Sequence, residues 1–127
     1  MRDDKQYTKA YLVEFTNTED NYSFLKFGAT NSYDVEDRFK YDPDQYRGFD
    51  IRIISSIYAK KGNRYHKRMG DVEQYFLEKY PRNTKYFKEN FSGISETYKP
   101  SDRTERSKII SEFYKVRDKV FNEEDFS

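Results

Sequence analysis

Tyr11-Leu12-Val13-Glu14-Phe15-Thr16-Asn17, a polar turn, Phe24-Leu25-Lys26-Phe27-Gly28-Ala29-Thr30 and then Asp34-Val35-Glu36-Asp37-Arg38-Phe39 form the stretch on which the fold depends. The first two runs alternate in character and are rich in aromatic and β-branched residues, the pattern of half-buried strands. Asn17-Thr18-Glu19-Asp20-Asn21 between them is turn chemistry, because short polar side chains satisfy nearby backbone groups. A hairpin over residues 10–16 and 23–29 is expected. Thr30-Asn31-Ser32 supplies capping residue types for a short helix running to about residue 41. Val35 and Phe39, at i and i+4, mark its buried side, and Arg38 borders it. A lysine inside the second strand, a glycine just after it and that arginine call for explanation.

Outward from this stretch, Asp42-Pro43-Asp44 stops the helix, since the residue before proline avoids the α region. A third strand is expected over 50–59, with Ile51, Ile53 and Ser55 on one face and Arg52, Ile54 and Ser56 on the other. Lys60-Lys61-Gly62-Asn63-Arg64-Tyr65-His66-Lys67-Arg68 is the one basic run. A helix takes over near it and continues to about residue 80, with Met69, Phe76, Leu77 and Tyr80 as an apolar stripe that also carries Glu73. Tyr86-Phe87-Lys88-Glu89-Asn90-Phe91 is short and aromatic, and Gly93-Ile94-Ser95-Glu96-Thr97-Tyr98 reads as a strand or a docking segment. Asp102-Arg103-Thr104-Glu105 fits a capping box opening a last helix to about residue 121, with Ile109, Phe113, Val116 and Val120 as its buried stripe. The expected architecture is α/β (α+β): a small three-stranded antiparallel sheet flanked by helices over 10–121. Residues 1–9 are expected to be flexible and 122–127 to be a frayed acidic tail.

At 127 residues there is room for one domain and one sizeable core. A net charge of +1 gives no overall basic field, so any nucleic-acid contact must be local. Charged residues, at 37%, outnumber hydrophobic ones at 35%, a balance approaching disorder, yet 13 Tyr and 11 Phe supply large rings for a core. The absence of Cys excludes disulfides and thiolate metal sites. No apolar run reaches membrane-spanning length, and Met1-Arg2-Asp3-Asp4-Lys5 leads into no signal-peptide core, so a cytoplasmic protein without membrane contact is expected.

Lys26, Arg38 and Glu73 fall where a bland pattern would put apolar residues. A buried lysine has its charged form disfavoured and is a candidate base. An arginine presents a rigid fork of donors to phosphate oxygens. A lone glutamate can hold a hard cation such as Mg²⁺ whose shell is completed by water and phosphate. Each also has an ordinary reading. Lys26 can be an edge-strand lysine that blocks aggregation, Arg38 a helix-surface ion-pair residue, and Glu73 a rim residue paired with Lys79 or Arg68. The basic run can be a solvated loop, and His66 has no partner pattern for a metal or a triad.

The order of hairpin, Lys-aromatic-Gly, Thr, helical Arg, third strand and Glu-bearing helix resembles the GIY-YIG nuclease superfamily. It is most similar to the phage-rich branch whose second motif reads Lys-Ile-Gly-x-Thr, here Lys26-Phe27-Gly28-Ala29-Thr30. Tyr11-Leu12-Val13 stands at the first motif, with Phe15 and Asn17 following. Arg38 matches the helix arginine and Glu73 the metal-binding glutamate, and residues 93–98 resemble the Glu-aromatic segment that closes the core. The resemblance spans about residues 11–98. Two departures stand out: Val13 falls where the first motif closes on a tyrosine, and a histidine found near the second motif in some relatives is absent. Tyr11 lies on the same strand face as Val13, one rung away. Asn90 is the candidate for a late asparagine.

The resemblance implies a metal-dependent endonuclease hydrolysing phosphodiesters, with DNA the expected substrate and a phage-infected bacterium's cytoplasm the expected setting. In that scheme Glu73 holds Mg²⁺ or Mn²⁺ and Arg38 holds a non-bridging oxygen. Lys26, with its pKa lowered by burial, and Tyr11 orient and deprotonate the attacking water. Lys60, Lys61, Arg64, His66, Lys67 and Arg68 track the nucleic-acid backbone. Specificity is left to the basic run, to a homodimer or to a partner protein. Two rival readings stay open: a catalytically impaired scaffold that binds nucleic acid, and a small protein-interaction effector.

Overall fold

A computed structural model describes residues 6–32, 34–40, 46–85 and 96–126, without the side chains of Arg38 and Lys40. The expected helix stop at Pro43, the aromatic segment 86–91 and the candidate Asn90 lie outside the described residues. The elements in chain order are β1 (Lys9–Asn17), β2 (Ser23–Thr30), α1 (Asp37–Lys40), β3 (Phe49–Tyr58), α2 (Gly70–Lys79), β4 (Thr97–Tyr98) and α3 (Arg103–Phe121). The architecture is α+β. The sheet is antiparallel throughout and runs in the order β3-β1-β2-β4. It has four strands where three were expected, because Thr97 and Tyr98 pair with Lys26 and Leu25. Thr84 and Thr97, both buried, share a hydroxyl hydrogen bond of 2.8 Å, and the Asn83 amide bonds both backbone groups of Lys99. These contacts hold the added strand in place.

The period-two alternation of the hairpin splits its side chains between two cores. One face gathers Tyr11, Val13, Phe15 and Phe24 under Val35, Phe39 and Tyr46. Phe15 stacks on Phe24 at 5.4 Å and meets Phe39, Tyr46 and Phe49 edge-on, the favoured aromatic geometries. The other face gathers Ala10, Leu12, Leu25, Phe27 and Ile57 against Met69 at the N-cap of α2, Val72 and Phe76 within it, and the expected α3 stripe of Ile109, Phe113, Val116 and Val120. Asp102 caps α3 by accepting from Glu105 N–H, while the Glu105 carboxylate accepts from Ser101 N–H. Arg106 reaches back to Glu14 of β1 with two hydrogen bonds of 2.7 and 2.9 Å.

Four expectations are corrected. The alternation in β3 breaks at a bulge, where Leu12 pairs with Ser55 but Val13 with Ile53. The extra residue switches parity, so Ile51 and Ile53 serve one core and Ile57 the other. Second, α1 is one turn, entered through Asp34, whose carboxylate accepts from Glu36 N–H. Asn31 does not cap it; its side chain accepts from Thr8 N–H and donates to the Gln6 carbonyl, which ties down residues 6–9 that were expected to be loose. Third, α2 begins at Gly70, and the basic run before it is a series of turns with Lys67 at φ +62°.

Fourth, the acidic end is not frayed. α3 closes in a Schellman motif, with Glu123 N–H donating to the Val120 carbonyl and Glu124 N–H to that of Lys119. Glu123 takes the left-handed position at φ +56°, where glycine is usual. Phe126 then packs on Tyr65 and Tyr75 at 5.4 and 5.5 Å. Among the described residues no helix is long and apolar enough to cross a membrane.

Candidate active site

Lys26 sits in β2 between β1 and β4, not at a sheet edge, and is 1% exposed. Its ammonium donates to the Tyr11 hydroxyl at 3.1 Å and to Glu96 Oε2 at 3.0 Å. The edge-lysine reading therefore fails. The expectation of a pKa lowered by burial fails as well. Burial alone pulls the ammonium down, but the Tyr11 oxygen and the Glu96 carboxylate outweigh it and hold Lys26 at about 12. At neutral pH Lys26 is a cation and a donor, which removes it as the base.

Gly28 accounts for how Tyr11 reaches Lys26. The two residues Tyr11 and Gly28 are cross-strand partners, and a Cβ built on Gly28 would lie 2.2 Å from Tyr11 Cζ. The phenol ring thus lies flat over a strand position that has no side chain. One rung on, Val13 pairs with Lys26, so the hydroxyl of Tyr11 occupies the space beside the lysine that a residue at Val13 would otherwise serve. Phe39 meets the Tyr11 ring edge-on at 5.6 Å, which fixes the ring from above. The backbone of Arg38, the residue before Phe39 in α1, is carried to this same face of the sheet.

No protein-family model, curated protein or solved structure matches the chain.

Glu73 is 7% exposed on α2, so it is not a rim residue. The cations expected to pair with it bind elsewhere: Lys79 pairs with Glu112 and Arg68 with Asp71. Among the described residues no three acidic or histidine side chains converge into a metal site. One carboxylate suffices for Mg²⁺ when phosphate oxygens and water complete the octahedron, whereas a metal needing a full protein cage finds none among the described residues.

Of the basic run, Lys60, Lys61, Arg64, Lys67 and Arg68 are exposed and His66 is half-buried. Arg64 is engaged by the acids Glu123 and Asp125. The sequence reading missed Glu96 as a member of the buried cluster. Its signal was the Glu-aromatic segment itself, since β4 places Thr97 beside Lys26 and Glu96 immediately before it. A second cluster was also missed: Glu112 of α3 accepts from the Tyr75 and Tyr80 hydroxyls and from Lys79. The carboxylate is held below its usual range by these donors in spite of its burial, and the Tyr80 hydroxyl is pushed up by burial and by Glu112. The three bonds to Glu112 make the cluster a strut between α2 and α3.

Proposed function

We propose that this protein is a divalent-metal-dependent endonuclease of GIY-YIG-like architecture acting on nucleic acid, DNA before RNA. The observation that carries the reading is the Tyr11 hydroxyl, brought over Gly28 to the Lys26 ammonium, which supplies a phenol where the first motif lacks its closing tyrosine. Tyr11 accepts from Lys26, so its own O–H proton is directed away from the lysine and toward a water or phosphate oxygen. Lys26 acts as a fixed positive charge that orients this hydroxyl. Glu96 holds the lysine from the other side. Arg38 is the proposed donor to a non-bridging oxygen, where negative charge builds in the transition state. Glu73, on α2 and therefore against the sheet face opposite Tyr11, is the residue that would hold Mg²⁺, which when bound would neutralise phosphate charge.

Nicking of supercoiled plasmid tests this. The expected outcome is cutting that requires Mg²⁺, stops with chelator, and falls on the order of a hundred-fold or more in Glu73→Ala and Arg38→Ala, which corresponds to about 3 kcal/mol of transition-state stabilisation each. Cutting by both variants at the wild-type rate would refute the assignment. The burial of Tyr11 and Lys26 favours a second reading, a nuclease-like scaffold that binds nucleic acid without cutting it. Salt-sensitive plasmid binding with no nicking is the outcome that selects it.

A further inference from the structure

The basic run and the acidic end of the chain, far apart in sequence, meet at Arg64. The Arg64 backbone N–H donates to Glu123 Oε1 at 2.7 Å, its Nη2 to Asp125 Oδ1 at 2.7 Å, and its Nη1 to the Glu123 carbonyl at 2.9 Å. A main-chain donor and a guanidinium thus converge on two carboxylates, a donor set that serves a phosphodiester equally well. Of the five cations from Lys60 to Arg68, Arg64 bonds the acidic run of Glu123, Glu124 and Asp125, and Arg68 lines a groove shared with Asp125. This groove, of about 330 Å³, is lined by Arg64, Tyr65, Arg68, Asp125 and Phe126 and also by the acids Asp71 and Glu78 of α2.

The tail is held by two kinds of contact of different durability. Its apolar anchor is Phe126 on Tyr65 and Tyr75, backed by the Tyr65 hydroxyl donating to the Glu124 carbonyl. Its ionic contact is exposed: the Arg64 side chain is 48% and that of Asp125 78% accessible. Exposed pairs of this kind are weak and screened by salt, so a polyanion can replace the carboxylates while the aromatic anchor stays docked.

We propose that Arg64 is a phosphate-binding residue whose resting occupants are the chain's own Glu123 and Asp125 carboxylates, so that the acidic tail and a nucleic-acid backbone compete for one surface. The inference rests on the reading of residues 60–68 as a nucleic-acid contact, and it does not require that the nucleic acid be cut. The tail acts as a built-in counterion: it lowers affinity for any nucleic acid that cannot offer several phosphates at once, and so favours long substrates over short ones.

The test is fluorescence-anisotropy binding of a labelled DNA duplex across a salt series, without metal, for wild type, Arg64→Gln, Glu123→Gln/Asp125→Gln and the triple variant. Releasing Arg64 adds one phosphate contact. The tail variant is therefore expected to bind about eight-fold more tightly near ~0.1 M salt, with the log–log salt slope steeper by about 0.9. Arg64→Gln is expected to change wild type little and to erase the gain in the tail background. Melting curves for all four chains show whether they share one fold; if the tail variant melts early, Asp125→Asn alone takes its place. Equal affinity and slope for wild type and tail variant, or no DNA binding by any of them, overturns the proposal. Plasmid nicking judges the nuclease reading separately: cutting with unchanged tail-variant affinity defeats only the competition, and tail-dependent binding without cutting defeats only the catalysis.

Discussion

Gly28→Ala is the substitution whose consequence the structure fixes most closely. The new Cβ would stand 2.2 Å from Tyr11 Cζ and its hydroxyl oxygen and 2.7 Å from Cε1. Carbon atoms in favourable contact sit about 3.5–4.0 Å apart, so the ring must retreat by more than about 1 Å. It has nowhere to go without loss. Phe39 stands edge-on against it, the residue is buried, and its hydroxyl is bonded to Lys26. Overpacking of this kind costs about 1–3 kcal/mol. Losing a hydrogen bond to a buried cation adds about 1.5–3 kcal/mol. A total of about 2.5–6 kcal/mol is a large share of the roughly 5–15 kcal/mol that keeps a domain folded. Urea unfolding followed by circular dichroism measures it, the chain having no tryptophan to report. The decisive comparison is a double-mutant cycle with Tyr11→Ala, which removes the ring that clashes. The pair is expected to be less destabilised than the sum of the single variants by at least about 1 kcal/mol. Strict additivity, or a Gly28→Ala cost below about 0.5 kcal/mol, would refute the account of the glycine as a seat for the phenol.

Two predictions concern pH. Lys26 has a folded pKa of about 12 against 10.5 unfolded, so its contribution is complete below pH 10.5 and is lost as pH rises through 12. Lys26→Met is therefore expected to be less stable than wild type at pH 8 by about 2 kcal/mol, with the gap narrowing above pH 10.5 in denaturation curves taken at each pH. Glu112 titrates below its ordinary 4.5 in the folded chain, so its contribution is present above pH 4.5 and fades as pH falls through the folded value. Glu112→Gln is expected to lose about 1–2 kcal/mol near neutrality and to show a shallower loss of melting temperature below pH 4.5 than wild type does.

The sequence made the hairpin, the third strand and the α3 stripe legible because each rests on local periodicity, which needs no knowledge of neighbours. What it hid depends on partners far along the chain. β4 is two residues long and exists as a strand only because Leu25 and Lys26 offer an edge for it. The β3 bulge adds a residue that no alternation announces, and it moves Ile57 to the face opposite Ile51 and Ile53. For the candidate site, the unusual position of Lys26 was visible from its apolar flanks, but its charge state was not. Burial argues for a neutral amine, and only the Tyr11 and Glu96 oxygens beside it reverse the sign. The docked tail was hidden for a similar reason: an acidic run reads as solvated until Phe126 at its end finds two tyrosine rings.

The two cores on either side of the sheet are assembled from very different spans of chain. Among the described residues, the hydrophobic cluster of the aromatic face runs from Tyr11 through Phe39 and Tyr46 to Ile53. The opposite face joins Ala10 and Leu12 to Val120, so it closes only when α3 is available, and Arg106 clasping Glu14 spans 92 positions to seal it. As the polypeptide is made from its N-terminus, one side of the hairpin can therefore be covered while Leu12, Leu25, Phe27 and Ile57 on the other still lack α3, the second of the two helices that shield them. Short-range contacts form quickly and long-range ones late. A chain cut before residue 103 would carry the Tyr11 to Ile53 layer and, behind it, a sheet face covered by α2 without α3, and apolar surface left open in that way drives aggregation.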